Sequence, residues 1–179
     1  MKIAAIVGSI RKESVNKQLA MTIKERYAEQ FELELVDIAS LPYYNQDDEL
    51  NPPQVVVDFK KAIRDADAVL IFTPEFNWSF PGVLKNALDW LSRVDFVLRD
   101  KPVHIAGAAG GPMGTLRAQL QLRQVLTGMR TNLMHPAGNE ILIGLAGQKF
   151  SEGRLTDEST LTFMDGVMER FINHVQTSK

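Results

Sequence analysis

Apolar runs of strand length alternate along the chain with segments in which hydrophobic residues return every three or four positions. That alternation predicts strand, helix, strand units built around a parallel sheet. Residues 2 to 7 form a run without polar alternation, as a strand covered on both faces should. Val15, Leu19, Ile23 and Tyr27 then predict the buried stripe of a first helix. Leu33, Leu35 and Val36 predict a second strand, followed by a polar, proline-containing connection from about Ala39 to Pro53 whose acidic cluster, Asp47-Asp48-Glu49, is expected to be solvated. Val56, Phe59 and Ile63 stripe a second helix, and Ala68 to Phe72 is the strongest buried strand. Pro81, Leu84, Leu88 and Leu91 outline a third helix, with Pro81 expected in its first turn, where the missing N–H costs nothing.

Val103 to Ala106 predicts a fourth strand, and Leu116, Leu120, Val125 and Leu126 a fourth helix. The fifth strand is ambiguous: Thr131 to Met134 or Glu140 to Ile143 can supply it, or both around an interruption at Pro136 and Gly138. A terminal helix carries Met164, Val167, Met168, Phe171 and Val175 on one stripe. The whole predicts an α/β fold, a doubly wound five-stranded parallel sheet with helices on both faces, in which ligands sit beyond the carboxyl ends of the strands.

Composition narrows the partners. With 179 residues, 45% of them hydrophobic, residues 1–179 are expected to form a single domain. A formal net charge of −2 gives no basic field for nucleic acid or an anionic membrane, so neither is an expected partner. Cysteine is absent, so redox chemistry must come from a bound cofactor, and a reducing, cytoplasmic location is expected. The N-terminal apolar run stops at Gly8-Ser9 and reads as a strand rather than a signal peptide. His104, His135 and His174 show no metal-ligand spacing, so no metal site is expected.

Three strand-ending loops carry the candidate chemistry. The first, Gly8-Ser9-Ile10-Arg11-Lys12-Glu13-Ser14-Val15-Asn16, leads straight into a helix, whose free N–H groups and dipole favour a phosphate. Ser9, Ser14 and Asn16 add short donors and Arg11 a charge; equally, Ser14 can be a plain helix cap and Arg11 a surface charge. Neither G-x-x-x-x-G-K-[ST] nor G-x-G-x-x-G is matched. The second loop, Thr73 to Gly82, fixes its backbone at Pro74 and Pro81 and places aromatics between, suited to the edge of a planar ring or to plugging the core. The third, Ala108 to Gly114, is built of small residues that let backbone approach a ligand.

These segments resemble the NAD(P)H-dependent FMN reductase family, which includes quinone and chromate reductases and related azoreductases. The first loop is similar to the family's GSxRxxSxN, Thr73 to Asn77 and Pro81 to Ala87 to its TPEYN and PGxLKNA stretches, and Gly114 to Arg123 to its GxxRAQxxLR segment. The resemblance implies a flavodoxin-like fold holding FMN, its phosphate met by Ser9, Arg11, Ser14, the Val15 backbone and Asn16. The ring would meet Pro74, Glu75, Phe76 and Asn77 on one side and Ala109, Gly110 and Gly111 on the other. Phe76 departs from the family's usual tyrosine. Homodimers or homotetramers are also implied, with Trp78 and Phe80 either near the subunit interface or simply in the core. The implied activity is ping-pong transfer from NADH or NADPH through FMN to small acceptors such as quinones, chromate, azo compounds or flavin, with no catalytic side chain nominated. A flavodoxin-like electron carrier serving protein partners is the alternative. A phosphate-switched signalling module fits poorly, because the first strand ends in Val7-Gly8-Ser9 and not in clustered carboxylates.

Overall fold

The computed structural model describes residues 1–178. Its strands β1 (Lys2–Val7), β2 (Glu32–Val36), β3 (Ala68–Phe72) and β4 (Pro102–Ala108) pair in parallel in the order β2-β1-β3-β4. Two short strands, β5 (Asn132–Leu133) and β6 (Ile141–Ile143), share the fifth position, β5 beside Pro102 and Val103 and β6 beside Ala106 to Ala108. Both segments named as alternatives from the sequence are therefore strands. Pro136, which has no N–H to give a ladder, and Gly138, at a φ of 75°, lie between them.

Helices cover both faces. On one side α1 (Val15–Arg26) and α6 (Glu158–Thr177) bury Leu19, Ile23, Met164, Val167 and Phe171 against Ile3, Leu70 and Ala106. On the other, α2 (Gln54–Asp65), α3 (Gly82–Leu91) and α4 (Leu116–Gly128) bury Ile63, Leu84, Trp90 and Leu122 against Ile6, Ile71 and Ile105. A short α5 (Ala146–Lys149) and the two-stranded ribbon of β7 (Phe150–Ser151) and β8 (Arg154–Leu155) lead into α6. All five residues of β3 are buried, because the sheet is covered on both faces at its centre.

Two helix expectations need correction. Pro81 is the N-cap of α3, in extended backbone with ψ 151°, and Gly82 is the first helical residue. The Pro81 carbonyl accepts from Leu84 and Lys85, so proline starts the helix from one position further out. Leu120 is exposed; the stripe of α4 that faces the protein runs through Ala118, Gln119, Leu122 and Leu126. A polar residue, Gln119, belongs to the buried stripe because its amide donates to the Ile141 carbonyl at 2.9 Å, and hydrophobic spacing alone does not reveal that partner.

Gly107 fixes the height of β4 at the rim. A Cβ there would lie 2.0 Å from Thr115 Oγ1 and 2.5 Å from the Thr73 carbonyl oxygen, distances no side chain tolerates. Glycine thus lets the ends of β3 and β4 and the start of α4 meet in one layer.

His104 faces the α1 and α6 side of β4, its ring tilted 36° against Phe171 at 5.6 Å. Fully buried, and with neither ring nitrogen bonded among the described residues, it reads as a core histidine. Burial, reinforced by the charge of Arg123, pushes its pKa down to about 3. The unfolded chain binds a proton near pH 6.5 while the folded one stays neutral, so stability present above that pH is lost as pH falls toward 3. The slope from this residue is about 1.4 kcal/mol per pH unit inside that window. Denaturant titrations should show His104→Leu with a flatter stability profile between pH 6.5 and 4 than the parent; matching profiles would remove His104 from the acid limb.

Candidate flavin site at the strand ends

The rim at the carboxyl ends of β1, β3 and β4 gathers the three loops. The first begins at Gly8, whose N–H donates to the Phe72 carbonyl at 2.7 Å and so keeps the turn close to β3. Ser14 caps α1, its Oγ accepting from the Lys17 N–H at 3.3 Å. Among the described residues, no hydrogen bond uses the N–H groups of Ser9 through Asn16. A row of backbone donors at the positive end of a helix is an anion cradle. Arg11 is exposed and, among the described residues, forms no ion pair.

Asn16 does something else as well. Buried, its Nδ2 donates to the Ala108 carbonyl at 3.0 Å and its Oδ1 accepts from the Ala108 N–H at 2.9 Å. The amide answers both backbone groups of a residue 92 positions away, which ties the first loop to the end of β4. Its second Nδ2 hydrogen has no partner among the described residues.

The second loop leaves β3 with Thr73 and Pro74 buried, and then turns sharply. Phe76 and Ser79 exchange backbone hydrogen bonds at 2.9 Å around Asn77 and Trp78, whose φ angles are 51° and 64°. Such a turn favours Asn-Gly; tryptophan in the left-handed region costs of order 1 kcal/mol and persists only where neighbours hold it. Those neighbours are on α4: Gln121 donates to the Trp78 carbonyl at 3.0 Å and accepts from Ser79 Oγ at 2.7 Å, while Arg117 lies 4.3 Å from the Trp78 ring centroid. Phe76 and Trp78 are consequently held out toward solvent, and Trp78, 67% exposed, is no core aromatic. Phe80 is partly buried against the core.

Glu75 turns the other way. One carboxylate oxygen accepts from the N–H groups of Arg117 and Ala118, at 2.9 and 3.0 Å, capping α4, whose own N-cap residue Thr115 provides no side-chain cap. The Glu75 side chain therefore fixes the second loop to α4, and its backbone is what the rim can offer a ring. In the third loop Ala109 donates to the Ile143 carbonyl at 2.9 Å and accepts from the Ala146 N–H at 3.1 Å. A Cβ added at Gly110 or Gly111 would meet no protein atom within 4 Å, so these glycines leave room on the open side of the rim.

The structure thus brings all three predicted loops to one rim, with Asn16 and Glu75 as braces between them. Arg117 and Gln121, four residues apart on one face of α4, hold the turn at Asn77 and Trp78, a role that no local sequence pattern marks and only that distant contact reveals. Among the described residues, no group of three or more histidines and carboxylates could hold a metal, and no helix is long and apolar enough to cross a membrane.

The free N–H row, the arginine and the cleared glycine loop fit a phosphorylated flavin. Residues 1–146 match the family of NADPH-dependent FMN reductases. The chain is 40% identical over 174 residues to a 2-hydroxy-1,4-benzoquinone reductase of a Burkholderia species, covering 96% of this chain and 94% of that one. It is 36% identical over 185 residues to a quinone reductase of Escherichia coli, covering 100% of this chain and 97% of that one. Among solved structures, the flavoenzyme FerB, an NAD(P)H:(acceptor) oxidoreductase from Paracoccus denitrificans, superposes with a TM-score of 0.89 at 34% identity, covering 99% of this chain and 98% of that one. From its motifs, its rim and these likenesses together, the chain belongs to the NADPH-dependent FMN reductase family.

Proposed function

We propose that the chain is a quinone-type reductase that works by a ping-pong cycle, taking electrons from NADH or NADPH and passing them to a small acceptor. The observation that carries this reading is the row of unpartnered N–H groups from Ser9 to Asn16, braced by Asn16 against the small-residue loop after β4. The relatives named for benzoquinone and quinone reduction support the acceptor class. Chromate, azo compounds and free flavin are acceptors that the same exposed face would admit.

Bound at this rim, FMN supplies the capacity to accept a hydride and release its electrons to a second molecule. The chain's part is to hold and orient. Ser9, Arg11, Ser14, the Val15 N–H and the spare hydrogen of Asn16 offset the phosphate charge. Pro74 to Asn77 present a backbone made stiff by the Pro74 ring, the Glu75 brace and the Phe76–Ser79 bridge. Ala109, Gly110 and Gly111 keep the opposite edge clear of side chains. No catalytic side chain is assigned. The exposed Phe76 and Trp78 beside this rim suit burial by a second copy, in keeping with a homodimer or homotetramer, and the cysteine-free chain suits the cytoplasm.

Two measurements test this. Anaerobic mixing with NADH or NADPH should bleach the flavin of the purified FMN complex within the turnover time, and a quinone should restore its colour. Reduction only through a separate reductase protein would assign the chain to electron carriage instead. The second separates gripping from bracing. Arg11→Ala should weaken FMN about tenfold or more, the loss of one charged contact, without lowering the melting temperature of the flavin-free protein. Asn16→Ala leaves both Ala108 backbone groups unpaired and should cost about 2 kcal/mol or more, a fall of roughly 4–8 °C in melting temperature, besides weakening FMN. Equal FMN affinity in parent and Arg11→Ala would overturn the phosphate assignment.

A further inference from the structure

One cleft shares Ser9 and Arg11 with the site above and extends beyond it toward β2. A cavity of about 350 Å3 opens on the outer side of the phosphate loop, between residues 9–12, the first turn of α1 and the end of β2. It stands over the junction of β2 and β1, whereas the loops around the ring follow β3 and β4. With neighbouring strands about 4.8 Å apart, cleft and ring position are separated by roughly two spacings, on the order of 10 Å. An extended dinucleotide spans more than that.

The cleft has three kinds of wall. Arg11, Lys12 and Lys17 line it, all exposed, and among the described residues none forms an ion pair or a side-chain hydrogen bond. Three cations against the single carboxylate of Asp37 give the cleft a positive balance, in a chain of net charge −2, and so favour a phosphate-bearing ligand. Buried Ile38, half-buried Leu35 and exposed Ile10 supply apolar surface for a flat ring. Asp37 adds an acceptor: one oxygen takes the Ala39 N–H at 2.8 Å, and hydrogen bonds from Ser40 and Ala39 hold the carboxyl below the ordinary aspartate range. A carboxylate at the end of a second strand is placed to accept from ribose hydroxyls.

We propose that this cleft receives the adenosine-phosphate half of the reduced nicotinamide nucleotide, with the base against Ile10 and Leu35, the ribose hydroxyls on Asp37 and phosphate on Lys12 and Lys17. The assignment rests on the proposed reductase activity, and it places the nucleotide's far end on the opposite side of the phosphate loop from the flavin ring. Arg11 belongs to the flavin phosphate, so the two lysines carry the test. The shared chemistry is a phosphate ester, whether the 2′-phosphate of NADPH or the pyrophosphate common to both nucleotides.

The experiment compares the FMN-loaded parent with K12Q/K17Q, titrating ADP and adenosine 2′-monophosphate by calorimetry and measuring KM and kcat with NADH and NADPH. The expected result is unchanged FMN content and kcat, at least tenfold weaker binding of one or both probes, and a KM raised by a similar factor. Loss confined to adenosine 2′-monophosphate and NADPH places the 2′-phosphate at the lysines. Equal loss with ADP and both nucleotides places the pyrophosphate there. Unchanged probe affinities and KM values would overturn the proposal, and so would loss of FMN from the variant, which would give the lysines to the flavin phosphate. A parent protein that held FMN but was reduced by neither nucleotide would refute the reductase reading alone, because the two probe titrations still decide whether the cleft binds an adenosine phosphate.

Discussion

One side chain sets the width of the rim. The carboxamide of Asn16 answers both backbone groups of Ala108, so the start of α1 and the end of β4 are held at a fixed separation across the intervening strand β3. A buried carbonyl and N–H at a strand end must find partners, and here the partner is carried by the helix that follows the first loop. Gly107, one residue earlier, lets the Thr115 hydroxyl and the Thr73 carbonyl occupy the space a side chain would fill. These two contacts lock the loops after β1, β3 and β4 to one another.

Rigidity at the rim leaves its polar groups free to act outward. Because Ser14 caps α1 with its own side chain, and Glu75 caps α4 from another loop, the helix starts are stabilised without consuming the N–H row from Ser9 to Asn16. The turn at Asn77 and Trp78 is strained, and the contacts from Arg117 and Gln121 offset that strain. Its result is a pair of exposed aromatic rings beside the rim rather than inside the core. Electrostatics follow the same division, with cations that form no ion pair among the described residues gathered at the first loop and its outer cleft on a chain that is acidic overall.

The layers of the fold were legible because buried parallel strands and amphipathic helices write their periods directly into residue order, as in Ala68 to Phe72 and in Met164 to Val175. The fifth strand was legible only as two candidate segments, and both form because Pro136 and Gly138 interrupt the ladder between them. Leu120 misled because α4 turns a glutamine inward to meet a strand carbonyl, and a polar residue on a buried stripe is invisible until its partner is known. Within the site, sequence located the three loops but could not apportion tasks. Asn16 and Glu75 looked like ligands by residue type, and each spends most of its polar capacity on backbone 92 and 42 positions away. Long-range braces of that kind leave no local period, and the αL turn at Trp78 lacks the glycine that would have announced it.

The central claim is that the free N–H groups of the first loop grip the flavin phosphate. Amide chemical shifts and hydrogen exchange, followed as FMN is added to the flavin-free protein, test it most directly. The amides of Ser9 to Asn16 should shift and gain protection at one equivalent of FMN, together with those around Glu75 and Gly110. Stoichiometric binding that left the Ser9 to Asn16 amides unmoved would contradict it.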